Sequence, residues 1–209
     1  MKQNWHRLIF LAALGCGWLE ARCLAAPQGT ATPDGWRPAA PREEIRPQFS
    51  YTDSTRTGNQ STLVIETDSR EGLDGYWTKT FPVQGGEHYR FSALRKLQNV
   101  ESPRRSAVVR LLWQDAKGNS VPTDEMTVSD DVLPGYTRMA EAEHPTEKST
   151  DAQGRTEVAA VYRAPPKATR AVVELHLQWA ANAKAEWSNV SLTETSAPSP
   201  RKVRLAAVH

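Results

Sequence analysis

From residue 43 to residue 194 the chain alternates between apolar and polar residues in short runs, and turn residues close each run. In the run 170–179 (RAVVELHLQW), every second residue from Val173 to Trp179 is apolar, and successive side chains of a strand point to opposite faces. Further strands are predicted at 61–67, 76–83, 87–95, 106–115, 158–163 and 186–192, with one more near 136–140. Many short strands separated by turns, without a helical repeat, predict an antiparallel β-sandwich or barrel.

The same alternation divides the predicted strands into an inward and an outward face. The inward residues are expected to be Tyr89, Phe91, Val109, Leu111, Trp113, Val173, Leu175, Leu177 and Trp179. Their neighbours form the outward set of Arg90, Ser92, Arg110, Glu174, His176 and Gln178. The first interpretation is that Arg90, Arg110 and Glu174 of this set form an ordinary solvated, ion-paired face. The alternatives are a polar face that binds a ligand and a surface on which a further domain docks.

The N-terminus has the pattern of a secretory signal. A basic segment at residues 2–7 precedes an apolar run at residues 8–19, which at about 12 residues is too short to cross a bilayer. Cleavage is expected after Ala25 or Ala26, so residues 1–26 are predicted to be a signal peptide. The mature chain would be exported to the periplasm or outside the cell, with no membrane span. A buried helix of a cytosolic protein is the alternative.

Both cysteines of the chain, Cys16 and Cys23, lie within the predicted signal peptide. The mature chain is therefore expected to contain no disulfide, no catalytic thiol and no cysteine-bound metal. Cys16 also leaves open a lipoprotein signal, although the residues before it fit that pattern poorly.

Segments rich in proline and small residues flank the predicted β-sandwich module at 43–194. Residues 27–42 are predicted to be a flexible N-terminal segment, and residues 195–201 a Pro/Ser linker. Residues 202–209 (KVRLAAVH) then form an apolar run, which we interpret as the first strand of a C-terminal domain beyond residue 209. The alternative is that this strand returns to the sandwich.

The distribution of charged residues and the absence of catalytic motifs disfavour several classes of function. The 209 residues include 26 basic and 24 acidic ones, mixed along the chain without a basic block, which disfavours nucleic acid as a partner. The histidines of the predicted module, His88, His144 and His176, belong to no HExxH motif, and there is no GxSxG or phosphate-binding GxxxxGK[ST] motif. We therefore expect neither a catalytic site nor a cofactor on this chain, although a pair of carboxylates would escape such a search.

One acidic turn has the chemistry of a calcium site. Asp68, Glu71 and Asp74 lie in the turn DSREGLDG and carry the oxygen ligands that Ca²⁺ prefers. Solvated turn residues around two glycines are the favoured interpretation of this segment, and a structural calcium ion is the alternative.

Three segments together resemble the galactose-binding-like jelly-roll modules found among carbohydrate-binding families. They are GYWTKTFPVQGGEHYRFSALRK (75–96), VVRLLWQDAKGN (108–119) and ATRAVVELHLQWAANAKAEWSNVSL (168–192). The closing strand WSNVSL departs from the "W-D-D-V-x-L" form of those families at both acidic positions, which weakens the implied calcium site. The resemblance implies a jelly-roll β-sandwich and a sheet face that binds a polysaccharide or cell-surface glycan.

On such a face, polar groups bind sugar hydroxyls and aromatic rings bind the faces of the sugars. The polar candidates are Arg90, Arg110, Glu174, His176 and Gln178. The aromatic candidates are Tyr76, Trp77 and Trp187, whose strands are expected at the sheet margins.

A second resemblance concerns the C-terminal tail. The segment RKVRLAAVH (201–209) is similar to the first strand of a carbon–nitrogen hydrolase (nitrilase-like) domain, and with residues 101–118 it resembles the N-terminal region of exported bacterial members. The resemblance implies a hydrolase domain in cis whose Glu, Lys and Cys would lie beyond residue 209. The function expected of this chain is thus a non-catalytic accessory module. A purely structural or protein-interaction domain is the alternative, and the hydrolase activity would belong to the gene product as a whole.

Overall fold

The computed structural model describes residues 35–52, 61–124 and 137–200, in which ten strands form two antiparallel sheets. The strands are β1 (Arg37–Ala39), β2 (Gln48–Thr52), β3 (Thr62–Glu66), β4 (Asp74–Pro82), β5 (His88–Gln98), β6 (Val109–Gln114), β7 (Thr146–Thr150), β8 (Thr156–Arg163), β9 (Arg170–Gln178) and β10 (Lys184–Thr195). A 3₁₀ turn spans Glu43–Ile45, and the one-turn helix α1 spans Pro103–Ser106.

The four-stranded sheet has the order β1-β4-β9-β6, and the six-stranded sheet has the order β2-β3-β10-β5-β8-β7. The two sheets pack face to face as a jelly-roll β-sandwich, which confirms the predicted all-β fold class. Alternate residues of β9 enter the space between them: Ala171, Val173, Leu175 and Leu177 are fully buried. Burial of apolar surface stabilises a core by about 25 cal/mol per Å², so this alternation is what holds the two layers together.

Two large tryptophans form the centre of this core. Trp77 of β4 and Trp187 of β10 are 1% and 0% exposed, and the Trp77 indole donates a hydrogen bond to the Val64 carbonyl at 3.1 Å. Both strands are interior, since β4 lies between β1 and β9, and β10 lies between β3 and β5. The prediction that the strands of Tyr76, Trp77 and Trp187 lie at sheet margins is therefore wrong.

The sequence pattern did not predict three of the strands. β1 pairs with β4 inside the segment 27–42 that was predicted to be flexible, so that prediction is wrong over Arg37–Ala39. β2 adds an edge to the six-stranded sheet, and β7 (TEKST) is exposed at every residue. These strands are short or lack apolar residues, and the partner strand supplies the hydrogen bonds that order them. Conversely, residues 137–140 contribute only an isolated bridge, between Met139 and Pro122, among the described residues.

Several expectations lie outside the described residues: the signal peptide at 1–26 with Cys16 and Cys23, the start of the segment 27–42, and the apolar run 202–209. Within the ranges that the structure describes, no helix has the length and apolar character needed to cross a membrane.

Candidate ligand-binding face

A cluster of polar side chains lies on the outer face of the four-stranded sheet, opposite the core. β4 contributes Asp74 and Tyr76, β9 contributes Glu174, His176 and Gln178, and β6 contributes Arg110. The antiparallel register sets Tyr76 beside His176, Asp74 beside Gln178, and Arg110 beside Glu174. Directly paired residues on one face have Cβ atoms about 5 Å apart. We call these six residues the polar face.

His176 is the centre of the polar face. Its Nε2 atom lies 3.0 Å from Oε2 of Glu174, and its Nδ1 atom lies 3.6 Å from Oδ1 of Asp74. The ring of Tyr76 stacks on the imidazole, with the centroids 4.5 Å apart and the planes at 28°. As a result His176 is only 1% exposed, although its position in the strand points outward. Gln178, which also belongs to the predicted outward set, is buried as well, at 4%.

The two carboxylates control the charge of His176. Burial lowers the pKa of His176, but the facing carboxylates of Asp74 and Glu174 outweigh it and raise that pKa above the ordinary value of 6.5. The positive charge of Arg110 opposes this rise. Burial, and then the negative charges of Glu174 and Asp74, raise the pKa of Tyr76, so its phenol stays neutral. The polar face therefore combines a neutral aromatic hydroxyl with a histidine that lies between two carboxylates.

Trp179 lies at the end of the polar face and was missed by the sequence pattern, which placed it in the core. The residue follows β9 directly, has a φ of +54°, and leaves its side chain 50% exposed. The guanidinium of Arg105 lies 5.4 Å from its ring centroid, and the backbone carbonyl of Arg105 accepts a hydrogen bond from Gln178. The alternation of β9 stops at Gln178, and a positive φ is rare for so large a side chain, so the period-two rule does not extend to Trp179.

Arg90 does not belong to this face. It lies on β5 of the six-stranded sheet, where it forms an exposed ion pair of 3.0 Å with Glu157 of β8. The whole thickness of the sandwich separates the two sheets' outer surfaces. Trp77 and Trp187 are likewise absent from the face, since both lie in the core. Of the eight predicted ligand-binding residues, the structure brings together Arg110, Glu174, His176, Gln178 and Tyr76.

The residues of the proposed calcium site are not brought together. Asp68 is held by Arg70, whose Nη2 atom lies 2.8 Å from its Oδ2, and hydrogen bonds from Arg70 lower the pKa of Asp68. Asp74 faces His176 instead, and Glu71 is exposed. No group of three or more His, Cys, Asp or Glu side chains in the described part of the chain is arranged to hold a metal ion.

Comparison with known proteins gives similarity of structure only. No protein-family model matches the chain, and no curated protein matches it. The enzymatically active domain of bacteriophage CBA120 tailspike protein 4 is similar over 78% of this chain and 20% of its own, at 12% identity and a TM-score of 0.49. The CBM22-1–GH10 modules of Clostridium thermocellum xylanase 10B, complexed with xylohexaose, are similar over 83% of this chain and 28% of their own, at 13% identity and a TM-score of 0.46.

A family 16 carbohydrate-binding module is similar over 77% of this chain and 92% of its own, at 14% identity and a TM-score of 0.47. The chain thus spans about a fifth of the tailspike structure and little more than a quarter of the xylanase structure, but nearly all of this module.

Proposed function

We propose that this chain is a non-catalytic module that binds a carbohydrate on the outer face of its four-stranded sheet. The observation that supports the proposal most strongly is the convergence of Tyr76, Arg110 and Glu174 on that face, with exposed Trp179 at its end. A shared fold does not by itself determine function, so the proposal depends on the chemistry of these side chains.

Sugars present hydroxyl groups that both donate and accept hydrogen bonds, and apolar C–H faces that pack on aromatic rings. Asp74 and Glu174 offer carboxylate acceptors, and Arg110 offers guanidinium donors. The side chains of Asp74 and Glu174 are each only 16% exposed, and partial removal of water strengthens hydrogen bonds with charged groups. Tyr76 and Trp179 supply the ring surfaces.

His176 has a positioning role in this proposal. Because it is buried beneath Tyr76, a ligand does not reach its ring, and its two nitrogens face Asp74 and Glu174. His176 holds Glu174 at 3.0 Å and faces Asp74 at 3.6 Å, which places both carboxylates on the sheet. The same arrangement favours binding over catalysis, because both carboxylates face His176 and the buried histidine has no access to a substrate.

The test is retention of the full chain on insoluble polysaccharides such as cellulose, xylan, chitin and peptidoglycan, measured as depletion isotherms. Arg110→Gln and Trp179→Ala should each weaken retention about tenfold, since hydrogen bonds with charged groups contribute about 1.5–3 kcal/mol and 1.4 kcal/mol corresponds to tenfold.

Two matched controls accompany these variants. Arg90→Gln makes the same chemical change on the other sheet, and Met139→Ala truncates another large exposed side chain, 41% exposed. Both should retain the affinity of the unchanged chain. The proposal fails if no polysaccharide retains the protein, which would favour a structural or protein-interaction domain. Equal losses in Arg90→Gln and Arg110→Gln would also contradict it.

The finer assignment, an accessory module of an exported carbon–nitrogen hydrolase, is supported by the resemblance of the segment 201–209. Sequencing the gene beyond codon 209 tests it, because a nitrilase-like domain requires Glu, Lys and Cys in that order. Their absence from the continuing reading frame would exclude the hydrolase. N-terminal sequencing of the protein recovered from the periplasm and the medium tests export with cleavage after Ala25 or Ala26.

A further inference from the structure

A pocket of ≈ 340 Å³ opens at the edge of the sandwich, where β6 of the four-stranded sheet approaches β7 and β8 of the six-stranded sheet. The segment that crosses between these edges pairs with β6 at Glu143 and then continues into β7. Six residues carry the chemistry of this edge pocket: Arg95, Arg104, Val109, His144, Glu147 and Val158. Pockets of about 300–1,000 Å³ are the usual size for small-molecule ligands.

Arg95 is an unusual residue for the inside of a β-sandwich. It follows Phe91 and Ala93 on the inward face of β5 and is 5% exposed. Its Nη1 atom donates to the Ala107 carbonyl at 2.6 Å and its Nη2 atom to the Glu147 carboxylate, but its Nε has no hydrogen-bond partner among the described residues. A buried charge is costly unless it is paired and hydrogen-bonded, and Glu147 and the Ala107 carbonyl meet that need for Arg95.

The charges around the pocket do not balance. Glu147 neutralises Arg95, but Arg104 lines the same pocket and has no ion-pair partner in the part of the chain that the structure describes. His144 is held through its Nδ1 atom, 3.2 Å from the Val109 carbonyl. The positive charge of Arg104 is therefore not neutralised by the described residues of the pocket.

Apart from Thr146, the rest of the lining is apolar. Ala107, Val109 and Val158 are buried, at 0%, 2% and 2% exposed, and each lines the pocket beside the two arginines. A ligand that complements both the charged and the apolar residues of the lining has a single negative charge and a compact hydrophobic body.

We propose that the edge pocket binds a small organic monocarboxylate, with its carboxylate at Arg104 and its apolar body beside Val109 and Val158. In this arrangement the carboxylate neutralises the positive charge of Arg104. The pocket is lined by Val109, an inward residue of β6, whereas the polar face holds Arg110, its outward neighbour. The proposal therefore does not depend on carbohydrate binding.

Benzoate, benzamide and acetate are the probes, titrated into the full chain carrying ¹³C-labelled valine methyl groups. Benzoate should shift the Val109 and Val158 resonances. Benzamide, which lacks the charge, and acetate, which lacks the body, should each bind at least about tenfold more weakly, since the loss of a charge-assisted hydrogen bond or of a buried ring exceeds 1.4 kcal/mol. Equal binding of benzamide overturns the proposal, and so does an absence of shifts at benzoate concentrations of about 10 mM.

A pair of variants separates the pocket from general surface charge. Arg104→Gln should weaken benzoate binding about fivefold or more by removing the excess charge. Lys96→Gln removes an equal charge next to Arg95 in sequence but on the outer face of β5, and it should leave benzoate binding unchanged. Both positions are exposed, so neither change threatens the fold. Equal losses in the two variants overturn the proposal. Polysaccharide retention is measured with and without benzoate, so that a failure of this proposal is distinguished from a failure of the carbohydrate-binding proposal.

Discussion

At the scale of single residues, His176 shows how a strand position with an outward side chain becomes buried. The stacked ring of Tyr76 covers the imidazole, and carboxylates from two neighbouring strands face its nitrogens. Asp74 lies on β4 and Glu174 on β9, so only the pairing of these strands assembles the cluster. The charged state of His176 is thereby linked to the stability of the folded state.

The free energy of unfolding should depend on pH through His176. Its pKa is raised in the folded chain, so its stabilising contribution is fully present below the unfolded value of about 6.5 and is lost as the pH rises through the folded value. We expect the difference in unfolding free energy between the unchanged chain and His176→Gln to be constant just below pH 6.5 and to fall above it, by about 1.4 kcal/mol for each unit of pKa shift.

Urea unfolding of both proteins between about pH 5.5 and pH 9 measures this difference. His176→Gln keeps a hydrogen-bonding side chain but does not titrate, so Tyr76, Asp74, Glu174 and Arg110 remain in both proteins. A difference that stays flat over the whole range would contradict the raised pKa.

At the scale of secondary-structure elements, two turns share one sequence pattern and one set of hydrogen bonds. The sequences DAKGN (115–119) and DAQGR (151–155) each place an aspartate whose Oδ1 accepts hydrogen bonds from backbone N–H groups two and four residues later, all at 2.9 Å. The glycine in each has a positive φ, +92° in Gly118 and +73° in Gly154. These hydrogen bonds lower the pKa of both aspartates. Local residue chemistry is sufficient to specify such turns.

Gly154 isolates the contribution of backbone conformation, because no atom lies within 4 Å of the position a Cβ would take. Gly154→Ala should lower the free energy of unfolding by about 1 kcal/mol, since alanine resists a left-handed backbone. Gly154→Asn should cost less, because asparagine tolerates that conformation. Chemical denaturation of the three proteins tests the order, and an asparagine variant less stable than the alanine variant would refute the explanation.

At the scale of the whole molecule, the closure of the two sheets depends on a glycine of β4. A Cβ on Gly75 would lie 2.5 Å from the Pro47 side chain and 2.8 Å from the Phe49 ring, which itself meets Trp77 edge-on with the centroids 5.5 Å apart. Phe49 belongs to β2 of the six-stranded sheet, so Gly75 provides the space in which one sheet receives an aromatic ring from the other.

Gly75→Ala should therefore lower the free energy of unfolding by about 1–3 kcal/mol through overpacking. Gly72→Ala is the matched control, since the position lies only three residues away but has no atom within 4 Å of a Cβ. Its stability should change by less than about 0.5 kcal/mol. Thermal or urea unfolding compares the two, and equal destabilisation would indicate that sheet closure is not the cause.

The sequence by itself determined which segments are extended and which side of most strands enters the core, because alternation is a local signal with a period of two residues. It therefore predicted β3, β4, β5, β6, β8, β9 and β10, and the buried positions from Tyr89 to Leu177. Tertiary structure alone decided the order of strands, because hydrogen-bonded partners such as β4 and β9 are far apart along the chain. Strand order made Trp77 and Trp187 interior, separated Arg90 from Arg110, enclosed His176 between two carboxylates and placed Arg95 beside Glu147. Local patterns carry no information on which distant strands become neighbours, and both proposed binding sites depend on those neighbours.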